Sequence, residues 1–121
     1  MSYERITCPR CRRGVPIRAR RYAIHSIVPR GDIQCRMSWQ LVPVTGVDEE
    51  AYETRAAIVA DLACQMQDVD PLLVWDYLTA VPASELQRLL MVALAGIPLD
   101  RRIDDIFSWV HQLPVAQGRT A

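Results

Sequence analysis

The chain has 121 residues, of which 50% are hydrophobic and 23% are charged. This composition is typical of a folded globular protein and excludes a disordered chain, which would have fewer apolar residues and a larger net charge. The longest apolar run covers nine residues, 89–97, whereas a membrane-spanning helix needs about 20. Because no apolar signal segment follows the N-terminus either, we expect a cytoplasmic protein that makes no membrane contact.

The net charge of zero conceals a polarised chain. Residues 1–40 contain nine arginines and two acidic residues, a balance of +7, whereas residues 41–121 contain five arginines and twelve acidic residues, a balance of −7. Such asymmetry favours an anionic partner for the basic half. The alternative is that the two halves neutralise each other across an internal contact.

The first motif along the chain is Cys8-Pro9-Arg10-Cys11, which is followed by His25 and Cys35 with the spacing C-x2-C-x13-H-x9-C. Zinc is held in proteins by four thiolate, imidazole or carboxylate donors in a tetrahedron. A Cys-x-x-Cys turn lets two thiolates converge, and Pro9 fixes one φ angle of that turn. We therefore predict one structural zinc ion bound by Cys8, Cys11, His25 and Cys35.

The residues around this motif predict short strands rather than helices. Residues 15–25 interleave apolar and polar side chains without a helical period, and Gly14 and the segment 29–32 mark turns. Forty residues rarely fold without a metal or another cross-link. We therefore predict that residues 1–41 form a zinc ribbon of short β-hairpins. In the alternative interpretation, His25 is a surface strand residue and Cys35 is a small buried residue.

This pattern resembles small zinc-finger-like proteins of actinobacteria and their phages. The similar features are Cys8-Pro9-Arg10-Cys11, then His25, then Cys35-Arg36-Met37-Ser38, within residues 6–38. Such modules usually have Gly directly after the second cysteine and a Gly-Ser step after the last one, where this chain has Arg12 and Met37. The resemblance implies a metal ion and a host class, and it implies no reaction.

The rest of the chain predicts about four helices, so that the fold class is a small α+β protein. A linker at residues 42–47 precedes an acidic helical bundle at 48–114, and residues 115–121 form a flexible tail. The predicted helices cover about residues 48–67, 71–80, 84–95 and 100–113, with Asp48, Asp70, Ser84 and Asp100 at their starts. The third helix is apolar nearly all round, which predicts that it is central and buried. Cys64 lies beside the apolar stripe of the first helix, as a buried structural thiol or as an alternative metal ligand.

Two functions are consistent with these features. In the first, the protein is a nucleic-acid-binding regulator whose basic ribbon contacts phosphates while Tyr22 or Trp39 stacks on a base. The phosphate-binding candidates are Arg12, Arg13, Arg18, Arg20 and Arg21. In the second, it is an interaction adaptor, in one version phage-encoded, that binds a host protein or itself through helices carrying Trp75 and Trp109. DNA and RNA are not distinguished by the sequence.

Other functions find little support in the sequence. The second and third helices have helix-turn-helix spacing, but the third offers only Gln87 and Arg88 as exposed polar groups to read base edges. We find no phosphate loop, nucleophile elbow or His-Glu-x-x-His motif, and four protein donors leave a metal no open position. We therefore expect no enzymatic activity and no small-molecule substrate. Because residues 48–113 have their own apolar stripes and caps, we expect them to remain helical without the ribbon.

Overall fold

The computed structural model describes residues 4–108, 110 and 113, and it confirms a small α+β fold. A three-stranded antiparallel sheet at the N-terminus precedes four helices. The strands are β1 (Arg5–Thr7), β2 (Gly14–Arg18) and β3 (Arg21–Tyr22), and the helices are α1 (Glu49–Asp68), α2 (Pro71–Ala80), α3 (Ala83–Ala95) and α4 (Ile103–Phe107). None of the helices in this part of the chain has the length and apolar character needed to cross a membrane.

The strands form two short hairpins in the order β1-β2-β3. Ile6 pairs with Val15 in the first hairpin, and Ile17 pairs with Tyr22 in the second. The second hairpin closes through Ala19 and Arg20, which both have positive φ angles, 51° and 63°. Two central residues with positive φ define a type I′ turn, which normally selects Asn-Gly because these residues tolerate the left-handed region.

The starts of α1 and α2 agree with the sequence. Asp48 caps α1 by accepting a hydrogen bond from the Ala51 N–H, and Asp70 caps α2 by accepting one from the Leu72 N–H. Both side chains satisfy backbone donors that a helix N-terminus leaves unpaired. The predicted boundaries of these two helices are correct to within one residue.

The cap of α3 and the start of α4 differ from the prediction, although α3 itself begins within one residue of its predicted start. Pro82 precedes α3, and no side chain of the described residues caps it, so the predicted capping box at Ser84 is wrong. The predicted cap at Asp100 is also wrong, because α4 begins at Ile103 after Arg102. The predicted end of the fourth helix lies partly outside the described residues, and Trp109 and the predicted tail 115–121 lie wholly outside them.

Residues from the ribbon and from the helices share one core. Tyr22 and Met37 of the ribbon belong to the same buried cluster as Ile58 of α1, Tyr77 of α2 and Leu89 of α3. The Tyr77 hydroxyl also donates a hydrogen bond of 2.8 Å to the Leu41 carbonyl oxygen. The predicted linker at residues 42–47 therefore connects a ribbon and a group of helices that pack against each other.

Helix α3 is less buried than its sequence predicts. Leu89 and Glu85 face the core, but Leu90, Met91 and Leu94 are exposed. An apolar groove of about 420 Å³ lies between α1 and α3, with Met66 and Leu90 among its lining residues. The uniform apolar pattern of α3 thus reflects one buried face and one exposed apolar face.

Candidate metal centre and basic surface

The side chains of the four predicted metal ligands lie close together. One donor atom from each of Cys8, Cys11, His25 and Cys35 lies within 4.8 Å of the others, so this cluster could hold one metal ion. The Cys-x-x-Cys turn is closed by two backbone hydrogen bonds, from the Arg12 N–H to the Cys8 carbonyl and from the Cys8 N–H to the Arg13 carbonyl. The Cys35 N–H donates to the His25 carbonyl at 2.8 Å, which brings the second pair of donors together.

The sulfur geometry fits a tetrahedral ion. The Sγ atoms of Cys8 and Cys35 are 3.8 Å apart, and all four cysteines of the chain are free thiols. Zinc–sulfur bonds of about 2.3 Å at a tetrahedral angle would separate two sulfurs by about 3.8 Å. A disulfide would need about 2.05 Å. The Cys8 and Cys35 sulfurs therefore have the spacing of two thiolates around a shared cation.

His25 provides independent support for a metal. Its Nδ1 lies 2.7 Å from the Ala23 carbonyl oxygen, which makes Nδ1 the protonated nitrogen. The other nitrogen, Nε2, is buried and has no hydrogen-bond partner among the described residues. A metal-binding histidine typically donates its second ring N–H to a carbonyl or carboxylate and ligates through the free nitrogen. The unpaired Nε2 therefore fits a ligand better than a surface strand residue.

The close approach of the cysteines and their burial also shift the pKa values of the Cys11 and Cys35 thiols. Burial is the largest influence on Cys11, but hydrogen bonds from the Arg13 N–H and from Cys8 and Cys35, with the Arg13 charge, outweigh it and lower the Cys11 pKa. For Cys35, burial raises the pKa to about 12; the backbone N–H of Met37 opposes the rise, and the charge of Cys8 adds to it. Neighbouring thiolates thus repel one another unless a cation neutralises them.

Ser38 links the segment of His25 to the turn that begins at Cys35, where its N–H donates to the Cys35 carbonyl at 3.0 Å. Its hydroxyl accepts a hydrogen bond from the His25 N–H at 3.0 Å and donates one to the His25 carbonyl at 3.1 Å. The sequence pattern contained this serine but gave it no role. Cys64, in contrast, is exposed on α1. It is neither the predicted buried thiol nor a member of the cluster.

The predicted nucleic-acid-binding residues are placed unequally. Trp39, Arg12, Arg18 and Arg20 are exposed, although Arg20 also donates to the Thr54 hydroxyl at 3.0 Å. Arg13 is half-buried and braces the loop after His25 by donating to the carbonyl of Ser26 at 2.8 Å. The predicted stacking of Tyr22 on a base is wrong, because only 2% of this residue is exposed and its ring is not accessible to a base. Burial raises the pKa of its hydroxyl well above the usual range.

Part of the basic charge is neutralised within the chain. Arg21 pairs with Asp61 at 3.2 Å, and Arg10 pairs with Asp76 at 3.4 Å. Arg36 contacts both Asp70, at 3.3 Å, and Asp76. These contacts join the ribbon to α1, to α2 and to the cap of α2, so the internal-contact alternative is correct for three arginines. Because Arg21 is paired with Asp61, it is a poorer candidate for the predicted phosphate contact than the exposed arginines.

The fold and the cluster define a small α+β protein with a candidate Cys3His metal centre. The chain belongs to the family of unknown function DUF7368, whose model matches residues 5–116. The match runs through both the ribbon and the helices. No curated protein and no solved structure matches the chain.

Proposed function

We propose that this protein is a zinc-stabilised nucleic-acid-binding protein. The cluster offers three sulfurs and one imidazole nitrogen, which is a donor set of structural zinc sites. Four protein donors complete the tetrahedron and leave no position for a reacting water, so the ion acts on stability and not on catalysis. Its part in function is to fix the turns that carry the exposed arginines.

The metal proposal predicts about one zinc ion per chain in the purified protein, measured by elemental analysis. Replacing a ligand in Cys35→Ser should lower the zinc content well below one, because a hydroxyl is a poorer ligand than a thiolate. Cys64→Ser is the matched control, because Cys64 lies on α1 outside the cluster. A Cys35→Ser protein that retains as much zinc as Cys64→Ser would contradict the ligand set.

The observation that carries the nucleic-acid proposal is the placement of arginine at strained turn positions. Arg12, Arg20 and Arg30 have φ angles of 67°, 63° and 57°, and all three are exposed. A non-glycine residue in this region costs about 1 kcal/mol or more, and such strain concentrates at functional sites. Arg12 occupies the place after the second cysteine where the similar zinc-finger-like modules usually have Gly. These turns therefore carry a cation where the backbone alone favours glycine.

The location of these residues fits contact with phosphates. Each lies at the tip of a different turn: Arg12 after the Cys-x-x-Cys turn, Arg20 in the β2–β3 hairpin, and Arg30 after Pro29. Arginine forms bidentate hydrogen bonds with phosphate, and an exposed position lets a nucleic-acid backbone reach it. Arg30 is not among the phosphate-binding candidates predicted from the sequence, although a proline followed by Arg-Gly indicates a turn that presents its middle residues.

The salt dependence of binding tests this proposal. Bound arginines displace condensed counterions, so the affinity falls as salt rises, with a slope of about −0.9 per phosphate neutralised on duplex DNA. Replacing Arg12 and Arg30 together with glycine removes two cations and also relieves backbone strain. We expect weaker binding to every sequence, a slope smaller by up to roughly 2, and no loss of thermal stability.

The control replaces Arg101 and Arg102 with alanine, which removes the same charge from the exposed start of α4. An equal loss of affinity in this control would mean that only net charge matters, and would contradict a binding surface on the ribbon. Absence of any complex with single- or double-stranded DNA or RNA at low salt, with about 100 μM zinc-loaded protein, would reject nucleic-acid binding altogether. The adaptor interpretation would then remain.

A further inference from the structure

A polar cleft lies between the ribbon and α1, beside the exposed ring of Trp39. Its volume is about 530 Å³, and Arg21, Arg36, Asp61 and Gln65 are among its lining residues. Cavities of roughly 300–1,000 Å³ with a few fixed polar groups are typical small-ligand sites. The cleft is separate from the metal donors except for Cys35, which contributes to its wall.

Trp39 lines this cleft and is partly exposed to solvent. It is 54% exposed and has a φ angle of 65°, so that it is, after Arg12, Arg20 and Arg30, a fourth large side chain at a position that favours glycine. Its backbone is fixed on both sides: the Trp39 N–H donates to the Tyr22 carbonyl at 2.8 Å, and Arg21 donates to the Trp39 carbonyl at 3.0 Å. The Arg21 guanidinium lies 5.9 Å from the ring centroid. The indole is therefore oriented and more than half exposed, and the face that Arg21 does not cover is the one on which a base can stack.

The wall of the cleft on α1 is a fixed network that offers hydrogen-bond acceptors. Arg21 donates to Asp61 Oδ1 at 3.2 Å, and Gln65 donates to Asp61 Oδ2 at 2.9 Å. The Gln65 amide is further fixed by a reciprocal pair with Gln40, at 2.8 and 2.9 Å. A carboxylate has about four lone-pair sites, so each Asp61 oxygen can accept another hydrogen bond.

We propose that this cleft binds one nucleobase of a single strand, stacked on Trp39, and selects bases that carry an exocyclic amino group. An ionised carboxylate accepts hydrogen bonds and cannot donate them, so Asp61 favours the amino groups of cytosine, adenine and guanine. Thymine and uracil present carbonyl oxygens in their place, which the carboxylate repels. Arg20 also lies beside Arg21 and Asp61 on the neighbouring surface, where it can contact the adjoining phosphate. This inference rests on the proposed nucleic-acid binding and adds the class of base.

The test compares short deoxycytidine and deoxythymidine oligomers of equal length by fluorescence anisotropy near neutral pH with the zinc-loaded full chain. We expect the cytidine oligomer to bind about tenfold more tightly, since a good contact to a base edge discriminates by about that factor. Trp39→Ala should weaken binding of both oligomers about tenfold through loss of stacking. Trp75→Ala is its control, because Trp75 is similarly exposed but lies on α2.

Asp61→Asn tests the base selection itself. This variant removes a negative charge from the cleft and leaves the Arg21 charge without its counter-ion, so we expect the affinity for both oligomers to rise and only their ratio is informative. The cytidine-to-thymidine ratio should fall towards one, whereas Asp68→Asn, the same charge change at an exposed position of α1, should leave it at the wild-type value. Equal affinities of the wild-type protein for the two oligomers, or a ratio unchanged in Asp61→Asn, would overturn the base cleft. If Arg12 and Arg30 still govern the salt slope, the proposed function survives that outcome, whereas failure of all binding removes both.

Discussion

Removal of the metal should unfold the ribbon and destabilise the helices as well. Structural zinc contributes about 10–16 kcal/mol of apparent free energy to the folding of zinc-finger peptides, which is comparable with the total stability of most domains. Here the buried cluster continues from Cys8 and Cys35 through Tyr22 and Met37 to Tyr77. If this cluster holds the proposed ion, its loss removes the support of one wall of the core on which α1 and α2 pack.

Circular dichroism with and without a chelator measures this effect. We expect the helical signal of the chelated protein to melt at a temperature lower by roughly 10 °C or more, since each 1 kcal/mol shifts the Tm of a domain of this size by several degrees. Re-addition of zinc should restore the original curve. A helical melting curve that does not move on chelation would show that residues 48–113 fold independently, as the sequence predicts.

The grouping of Cys8, Cys11, His25 and Cys35 into one candidate metal centre is the part of the molecule that the sequence predicts best. The ligands are few, their side chains have specific chemistry, and the spacing within a short ribbon leaves few alternatives. The starts of α1 and α2 are also predictable, because Asp48 and Asp70 act on backbone groups only two or three residues away. Such local interactions are written directly in the order of residues.

The remaining errors arise from contacts between distant residues. Ser84 has the local pattern of a cap, but Glu85 beside it is drawn inward to Arg55, 30 positions earlier in the chain. Tyr22 lies in a basic segment whose pattern predicts an exposed strand residue, yet it is buried in the cluster that the ribbon shares with the helices. The exposed face of α3 could not be predicted from the sequence either, because a helix that is apolar nearly all round has no periodic pattern to distinguish its buried side from its exposed side.

Removing one partner of the buried ion pair between Arg55 and Glu85 should strongly lower the free energy of unfolding. Arg55 is completely buried and donates to the two Glu85 oxygens at 2.7 and 2.8 Å. It also donates to the Gly46 carbonyl, and its guanidinium lies 4.5 Å from the Tyr52 ring. The hydrogen bonds to Glu85 raise the Arg55 pKa against the opposing effect of burial, so the guanidinium stays charged. This contact joins α1, α3 and the segment before α1.

Arg55→Met should lower the free energy of unfolding by about 3–5 kcal/mol, because it leaves a buried carboxylate without its counter-charge. Adding Glu85→Leu should recover most of that loss, since a buried pair replaced by apolar residues of similar volume is often nearly neutral. The control is Arg88→Met, because Arg88 reaches the same Glu85 from the surface at 3.7 Å and should cost less than about 1 kcal/mol. Urea denaturation of the four proteins gives the comparison. A loss in Arg55→Met no greater than in Arg88→Met, or a double variant less stable than Arg55→Met alone, would mean that the pair does not couple α1 to α3 as its geometry indicates.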